Sequence, residues 1–529
     1  MLLLRACRME YPRMVVGRRW LHLTDSVTSD KVAASLLGSG EGPLSWYSCG
    51  PTVYDETHLG HARAYVSIDI LQRVFETLTR RPVLHLMGMT DVDDKILAAA
   101  QQKGTQPLAL ARRFEGEFHD NLRSLGVRSP AVVLRVSEHV EEIVAMAEGI
   151  QRNGYAYQGR VSGSLYFDTQ RFEQALAPYD KLVPRCHAED SHAAHDGEQR
   201  SAAEKKHAKD FVLWKTRALS DAAPFSVEHS SCLWQSPWGV GRPGWHIECS
   251  AMCFSAIGRD LDVHAGGIDL AFPHHANEIV QTAAFHNDAS LQWPRCFVHV
   301  GHVYIQGQKM SKSLKNFTSV SEFLQTHTAE QFRLFCLQHH YRSQVDYSAD
   351  RMQEAQALLN KVKHFHLQID SLIIKQKPQD ASKWGDSERL LWQRFSVFHL
   401  TLEQSLRDDF DTPAALKALF ELISSTFQYL SQSSSPNRFL LAVVSSHASS
   451  LWTHSFGFSA LTSASSASTS SNLDVPSIVD IRETIRKLAI SAPSEFKQPL
   501  FAISDRMRNE ILKPLGIQIV DAKPKGGKE

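Results

Sequence analysis

Residues 44–61 read LSWYSCGPTVYDETHLGH, and this stretch decides the fold class that we predict for the chain. Its apolar start, Ser45 to Ser48, is typical of a buried strand, and the turn Cys49-Gly50-Pro51 follows directly. A helical pattern then begins near His61 and continues to Thr79. The stretch therefore predicts a strand–loop–helix unit of an α/β protein.

The same order repeats downstream, with a strand at Val83 to Met89 and a helix at Asp91 to Gln102. This alternation predicts a parallel sheet whose ligand crevice lies at the carboxyl ends of the strands. Beyond about residue 325 apolar residues recur at helical spacing instead. We therefore predict a Rossmann-type α/β domain with an insertion, followed by an all-α bundle.

The composition excludes several classes of protein. The chain has 529 residues, 57 Lys+Arg against 57 Asp+Glu, and 8 cysteines. This length predicts about three or four domains. Because the formal net charge is zero, binding of nucleic acid by bulk attraction is excluded, although a local basic face would suffice. Irregularly spaced cysteines do not indicate a secreted disulfide framework, and no apolar run is long enough to span a membrane.

The N-terminus departs from this charge balance. Residues 1–23 contain five arginines but only one acid, Glu10. Such an Arg-rich, acid-poor segment predicts a mitochondrial presequence, and a disordered basic tail is the alternative.

A candidate phosphate site lies at Thr57-His58-Leu59-Gly60-His61, after a strand and at the start of a helix. Backbone N–H groups and the helix dipole attract phosphate there, Gly60 permits close approach, and the imidazoles donate hydrogen bonds. Taken alone, the pattern is more often two surface histidines.

A second motif is Lys309-Met310-Ser311-Lys312-Ser313, which follows an apolar strand. Its two lysines can close over a polyphosphate, and the alternative is a solvated basic turn. Together the two motifs are the signature of class I aminoacyl-tRNA synthetases, in which they are written HIGH and KMSKS.

Four residues outside these two motifs have side chains that are suitable zinc ligands: Cys49, Cys249, His274 and Glu278. On a helix His274 and Glu278 share one face. The cysteines are 200 positions apart, so spacing alone does not show that they meet, and buried structural cysteines are the default interpretation.

Several segments together resemble cysteinyl-tRNA synthetase, most of all its mitochondrial form. These segments are 47–55 (YSCGPTVYD), 58–63 (HLGHAR), 90–95 (TDVDDK), 241–252, 272–278 (FPHHANE) and 408–413 (DDFDTP). The resemblance implies one Zn²⁺ per chain on Cys49, Cys249, His274 and Glu278. Two positions depart from the family: Leu59 replaces the commoner Ile, and Ala276 replaces the usual Glu.

The resemblance also implies the substrate sites. The cysteine substrate would lie near Gly50, Thr90, Trp245, Asp269 and His274. The ATP, with Mg²⁺, would be held by His58, Gly60, His61, Lys309 and Lys312, of which His58, His61, Lys309 and Lys312 would be catalytic.

The implied activity is ATP-dependent ligation of L-cysteine to tRNA(Cys) through cysteinyl-adenylate, in the mitochondrial matrix. A monomer with no membrane association is expected, and Tyr341 to Ser343, Lys361 and Lys363 are candidate tRNA contacts, a solvated face being the alternative. The family's persulfide side activity with pyridoxal phosphate is in doubt, because Ala98 stands where its second lysine is expected. The alternatives are a cysteine ligase with a small-molecule acceptor and an inactive tRNA-binding paralogue.

The predicted domains follow from these patterns. They are a presequence (1–25), the first half of the catalytic domain (26–125), an insertion (126–209), the second half (210–305), the KMSKS loop with a stem-contact region (306–349), a helical anticodon-binding bundle (350–455), a Ser-rich linker (456–475) and a C-terminal helical segment with a basic tail (476–529).

Overall fold

The computed structural model describes residues 21–37, 42–179, 204–216, 232–310, 316–375, 384–459 and, between 482 and 512, most positions. The strands are β1 (His22–Thr24), β2 (Lys31–Ala33), β3 (Leu44–Thr52), β4 (Val83–Thr90), β5 (Val132–Arg135), β6 (Ala156–Gln158), β7 (Leu165–Phe167), β8 (Phe211–Thr216), β9 (Gly241–Pro243), β10 (Val263–Gly267), β11 (Cys296–Val300), β12 (Val303–Ile305), β13 (Gln308–Lys309) and β14 (Val345–Asp346). The helices are α1 (Leu59–Thr79), α2 (Asp94–Lys103), α3 (Pro107–Ser124), α4 (Val140–Arg152), α5 (Thr169–Ala175), α6 (Trp245–Ile257), α7 (Ala276–His286), α8 (Val320–Thr326), α9 (Ala329–Leu337), α10 (Ala349–Lys375), α11 (Asp386–Arg407), α12 (Thr412–Gln432), α13 (Arg438–Ser450) and α14 (Ser494–Arg506).

The central sheet has five strands in the order β11-β10-β3-β4-β5, and every neighbouring pair is parallel. This confirms the predicted α/β fold class. The chain winds outward in one direction from β3 to β4 and β5, and in the other from β10 to β11. In such a doubly wound sheet the ligand crevice opens at the carboxyl ends of the two strands where the winding reverses, here β3 and β10.

The insertion forms its own antiparallel sheet, in the order β6-β7-β8-β9. Two of the predicted boundaries differ from this arrangement. β5 pairs with β4 in the central sheet, although we placed it in the insertion, and β8 and β9 belong to the insertion sheet although they follow residue 210. The reason is that short strands carry too little periodicity to show which sheet they join.

The N-terminal strands β1 and β2 form a hairpin that is hydrogen-bonded to Asp409, in the segment between α11 and α12. The Asp409 carboxylate accepts a hydrogen bond from Thr24 N (2.8 Å), and Asp409 N donates to His22 O (3.0 Å). Leu23 is fully buried. Residues 21–25 therefore belong to the folded domain, although the presequence prediction extended to 25; residues 1–20 lie outside the described part of the chain.

Two compact units can be distinguished by their internal packing: residues 1–361, 384–436 and 450–458 make up one, and the remaining residues the other. In the first, α11 and α12 are joined where Tyr429 OH donates to Glu388 Oε1 (2.6 Å). In the second, the buried His366 ring lies 2.9 Å from Ser445 Oγ.

The Ser-rich linker predicted from residue 456 begins later than expected. Phe456 and Phe458 are buried, and the Phe458 ring stacks on Trp452 at 3.8 Å between centroids. Residues 460–475 of this linker, the loop 185–203 and the basic tail 523–528 lie outside the described residues. Among the helices that are described, none is both long and apolar enough to cross a bilayer.

Candidate active site and metal centre

Four potential metal ligands converge at the floor of the crevice. The Cys49 thiol sulfur lies 3.6 Å from the Cys249 sulfur and 3.6 Å from His274 Nε2, and His274 Nε2 lies 3.1 Å from Glu278 Oε1. One donor atom from each of the four falls within 4.8 Å of all the others. All four side chains are at most 5% exposed.

The elements around the crevice explain this convergence. Cys49 stands near the carboxyl end of β3, and Cys249 lies one turn into α6, which packs against β3 and β4. His274 belongs to an irregular turn, Ala271–His275, that runs into α7. Glu278 follows in the first turn of α7, so the predicted spacing of four still places both side chains on one face.

The donor set fits a four-coordinate zinc ion. Bond lengths of about 2.0–2.3 Å in a tetrahedron imply separations between ligand atoms of about 3.3–3.8 Å. Three of the six separations, at 3.1 to 3.6 Å, are close to that range, and the other three are at most 4.8 Å. Burial raises the pKa of the Cys49 thiol and of the Glu278 carboxyl. A divalent cation would reverse both shifts, because it stabilises thiolate and carboxylate.

Four histidines missed by the sequence argument surround these ligands. His264 Nε2 lies 3.0 Å from Glu278 Oε2, His246 Nδ1 lies 3.1 Å from His274 Nδ1, and His275 Nδ1 lies 2.7 Å from His299 Nε2. Burial lowers the pKa of His264 to about 3, so its ring is neutral at physiological pH. His264 and His275 also form a second four-residue group with Cys49 and Glu278.

The predicted cysteine-binding residues lie around the same floor. The Trp245 ring stacks on the His274 ring at 4.3 Å between centroids. Thr90, at the end of β4, donates its hydroxyl to Glu248 Oε2 (3.1 Å). Asp269 follows β10 and is exposed. At Gly50 a Cβ would lie 2.3 Å from the Gly88 carbonyl oxygen, so only glycine lets β3 approach β4 here.

Glu248 is a further site residue that the sequence argument did not single out. It is 2% exposed, and burial raises the pKa of its carboxyl well above the usual value, with the charges of Cys249 and Asp93 adding to the effect. Its contact with Thr90 places a polar pair beside the metal-ligand cluster.

The first signature motif forms the N-terminus of α1. His58 is the N-cap, and its Nδ1 accepts from His61 N at 3.4 Å. The two imidazole rings stack at 3.8 Å between centroids. A Cβ at Gly60 would lie 2.9 Å from the His58 ring, which explains the glycine. The positive helix end, with close approach permitted at Gly60, suits a phosphate group.

The second motif is only partly described. Lys309 lies in β13 opposite Tyr304 of β12, and its carbonyl accepts from Asn316 Nδ2 (3.0 Å). The segment after the loop returns to the first motif, because Leu59 N donates to Thr318 O (3.0 Å) and Val320 N to Thr57 O (3.0 Å). Lys312 lies outside the described residues.

Sequence comparisons show the family to which the chain is related. The family model of the class I (C) tRNA synthetase catalytic domain matches residues 38–357. A probable mitochondrial cysteine–tRNA ligase of Xenopus tropicalis is 41% identical over 381 residues, which are 72% of this chain and 62% of that protein's length. A cytoplasmic cysteine–tRNA ligase of Dictyostelium discoideum is 35% identical over 525 residues, or 95% of this chain and 76% of that protein.

Solved structures show the same fold at low sequence identity. A methionyl-tRNA synthetase of Mycobacterium tuberculosis in complex with methionyl-adenylate superposes with a TM-score of 0.57 at 17% identity, over 77% of this chain and 89% of that one. A fold of this kind, a matching catalytic-domain model over more than half of the chain and relatives above 30% identity lead to one conclusion. The chain belongs to the class I aminoacyl-tRNA synthetases, in the family of the cysteine–tRNA ligases.

Proposed function

We propose that the chain ligates L-cysteine to tRNA(Cys) through a cysteinyl-adenylate, and that zinc selects the cysteine. One observation carries the proposal: two thiols, an imidazole and a carboxylate converge within 4.8 Å at the buried floor of the crevice. The helix that begins with the HIGH motif, α1, leads away from the same crevice. Its Tyr65 hydroxyl donates to the Cys49 carbonyl (3.0 Å), so the phosphate site and the ligand cluster share one rigid element.

Cys49, Cys249, His274 and Glu278 would hold a single Zn²⁺. The ion, when bound, stabilises a thiolate at neutral pH far better than an alkoxide. Such chemistry is needed because serine and cysteine are near-isosteres, and discrimination by size yields only about 1–3 kcal/mol. Beside this cluster the Trp245 ring stacks on the His274 ring and would contact the side chain of the bound cysteine.

In the first step the cysteine carboxylate attacks the α-phosphorus of ATP, and pyrophosphate leaves. His58 and His61 stabilise the charge that develops on the α-phosphate, while Lys309 and Lys312 hold the β- and γ-phosphates that enter with Mg²⁺. Gly50, Thr90 and Asp269 orient the amino acid. Positioning and electrostatics carry this chemistry, so no protein nucleophile is required.

In the second step a ribose hydroxyl at the 3′ end of the tRNA attacks the carbonyl of the adenylate, the mixed anhydride bond breaks, and AMP leaves. The helical region has a groove that we propose as a binding surface for this tRNA. A groove of about 500 Å³ between α10, α11 and α12 is lined by Lys361, Arg394 and Lys417, and Glu421 is the acidic residue among its lining residues. Lys361 Nζ donates to Ser424 Oγ (3.0 Å) on one wall of this groove. Three cations beside Phe420 suit the phosphates and bases of an RNA loop.

The candidate tRNA contacts at Tyr341 and Arg342 have other partners. Tyr341 is 4% exposed, and its hydroxyl donates to Asp409 Oδ1 (2.8 Å). Arg342 forms an ion pair with Asp409 Oδ2 (2.6 Å). Both residues therefore join the stem-contact region to the start of α12, and the groove is the better-supported tRNA surface.

We expect the double variant Arg394→Glu and Lys417→Glu to raise the KM for tRNA about tenfold, because two phosphate contacts are replaced by repulsion. The slope of log KM against log salt should fall by about 1.4, at ~0.7 per phosphate contact with single-stranded RNA. Steady-state aminoacylation at several salt concentrations measures both quantities. The matched control is Lys103→Glu with Arg113→Glu, which makes the same charge change on α2 and α3; an equal rise in that control would contradict the groove.

One further part of the proposal rests on the sequence and the comparisons. The Arg-rich start and the mitochondrial relative support action in the mitochondrial matrix. A monomer is also part of the proposal.

The function is tested by cysteine-dependent exchange of pyrophosphate into ATP, with serine as the competing substrate, before and after removal of zinc with a chelator. We expect exchange with cysteine alone, and its loss on zinc removal. Equal exchange with serine, or none with cysteine in a folded, zinc-loaded sample, would contradict the proposal. Transfer of labelled cysteine to a tRNA transcript then separates a tRNA ligase from a ligase with a small-molecule acceptor, while an inactive paralogue would show no exchange.

A further inference from the structure

The segments on either side of the KMSKS loop are both attached to the first two turns of α1 or to the residues just before them. After the loop, the backbone of Thr318 to Val320 pairs with that of Thr57 to Leu59. Before the loop, the small sheet β13-β12-β14 carries Lys309 on its edge strand β13. Backbone pairing explains the first attachment, and a single buried side chain, Arg63, provides the second.

Arg63 lies two residues after His61 and is 1% exposed. Its five recorded acceptors are all main-chain carbonyl oxygens. They belong to Gly301, His302 (3.2 Å), His340 (3.4 Å), Tyr341 (3.5 Å) and Ser343 (2.7 Å). Burial lowers the pKa of this guanidinium to about 10, which still leaves it protonated at physiological pH.

These carbonyls come from two segments that flank the small sheet. Gly301 and His302 connect β11 to β12, and residues 340–343 lead into β14. The segments also touch one another closely, because a Cβ at Gly301 would lie 2.3 Å from Ser343 O. A planar fork with donors on several nitrogens can reach carbonyls that lie apart, whereas the three donors of a lysine ammonium all sit on one nitrogen.

We propose that Arg63 is a positioning residue for the ATP step: it fixes the small sheet, and hence Lys309, at a set distance from His58 and His61. This inference rests on the proposed function. Arg63 is not placed among the reacting groups, since Nη1 and Nη2 of its guanidinium both donate to main-chain oxygens of the two segments. Its loss shifts the loop relative to the N-terminus of α1, and a displacement of about 1 Å can cost roughly 100-fold in rate.

The deciding variant is Arg63→Lys, which keeps the charge but not the fork. We expect the KM for ATP in the exchange reaction to rise about tenfold and kcat to fall about 10- to 100-fold. The KM for cysteine and the zinc content should stay within twofold, since the ligand cluster does not depend on the small sheet. A merely structural role would instead lower the thermal midpoint without this split between the two substrates.

The matched control is Arg333→Lys, which alters another buried arginine. Arg333 binds the Asp69 carboxylate (2.7 Å) and the Gly126 carbonyl (2.8 Å), away from the loop. We expect it to lower stability but to leave the affinity for ATP unchanged. A fall in ATP affinity equal to that of Arg63→Lys would overturn the proposal.

Equilibrium binding of a non-hydrolysable ATP analogue, measured by calorimetry, separates this inference from the proposed function. The wild-type protein binds the analogue whether or not it activates cysteine, so Arg63→Lys can be scored in either case. About tenfold weaker binding supports the positioning role. Arg63→Ala, which has no donor at this position, should bind the analogue at least as weakly, and added guanidinium should restore part of its affinity. Unchanged binding in both variants would overturn the positioning role.

Discussion

Replacing Cys249 by serine is expected to remove most of the bound zinc and, with it, the preference for cysteine over serine. Structural zinc sites bind with about 10–16 kcal/mol, so the loss of one of four ligands costs about 3 kcal/mol, or roughly 100-fold in affinity. Metal analysis after dialysis measures the zinc content per chain. Pyrophosphate exchange with cysteine and with serine measures the discrimination, and we expect the KM for cysteine to rise.

Cys253→Ser is the matched control for this substitution. Cys253 lies one turn further along α6 and is fully buried, like Cys249, but it is absent from both candidate ligand groups. We expect it to retain one zinc per chain. His264→Ala should give an intermediate result, with zinc bound about 10- to 100-fold more weakly, because His264 orients Glu278 from 3.0 Å. Full zinc occupancy in Cys249→Ser would show that the ligand assignment is wrong.

Replacing His61 by alanine should lower kcat for pyrophosphate exchange by about 10²–10³-fold while the KM for cysteine changes little. The reason is that a preorganised donor to the developing negative charge typically contributes this much. His61 N, which donates to the His58 side chain, is a backbone group and stays in place. The fold should therefore survive, and an unchanged thermal midpoint checks this.

The variant His58→Ser distinguishes the role of His58 as the N-cap of α1 from its proposed catalytic role. Serine is a good N-cap residue, so α1 should begin at the same position while the imidazole is lost. We expect this variant to lose activity to a similar extent. Full activity in either variant would exclude the motif from the reaction.

Much of the fold followed from the sequence because its signals are local. The strand–loop–helix order of residues 44–79 predicted β3 and α1, and α1 starts two residues earlier than the apolar pattern, at Leu59, because His58 caps it. Short strands were less predictable. The four residues of β5 and the three of β9 give no indication of which sheet they join.

The features of the site also differed in whether the sequence could predict them. The spacing of His274 and Glu278 predicted that they share a face, whereas the meeting of Cys49 with Cys249 depends on how α6 packs against the sheet and has no local signal. The histidines around the ligands were missed because a neutral buried histidine resembles any core residue in a sequence. The role of Arg63 was equally hidden, since main-chain carbonyls carry no residue identity.

The contact between β1 and Asp409 joins residues that are 385 positions apart. Neither partner lies within the span matched by the catalytic-domain family, 38–357. β1 therefore cannot make this contact until the chain has been synthesised at least as far as Asp409. Such a late closing contact has high contact order and should slow the last stage of folding. A fragment that contains only residues 38–357, the span of the family match, would therefore lack both sides of this contact.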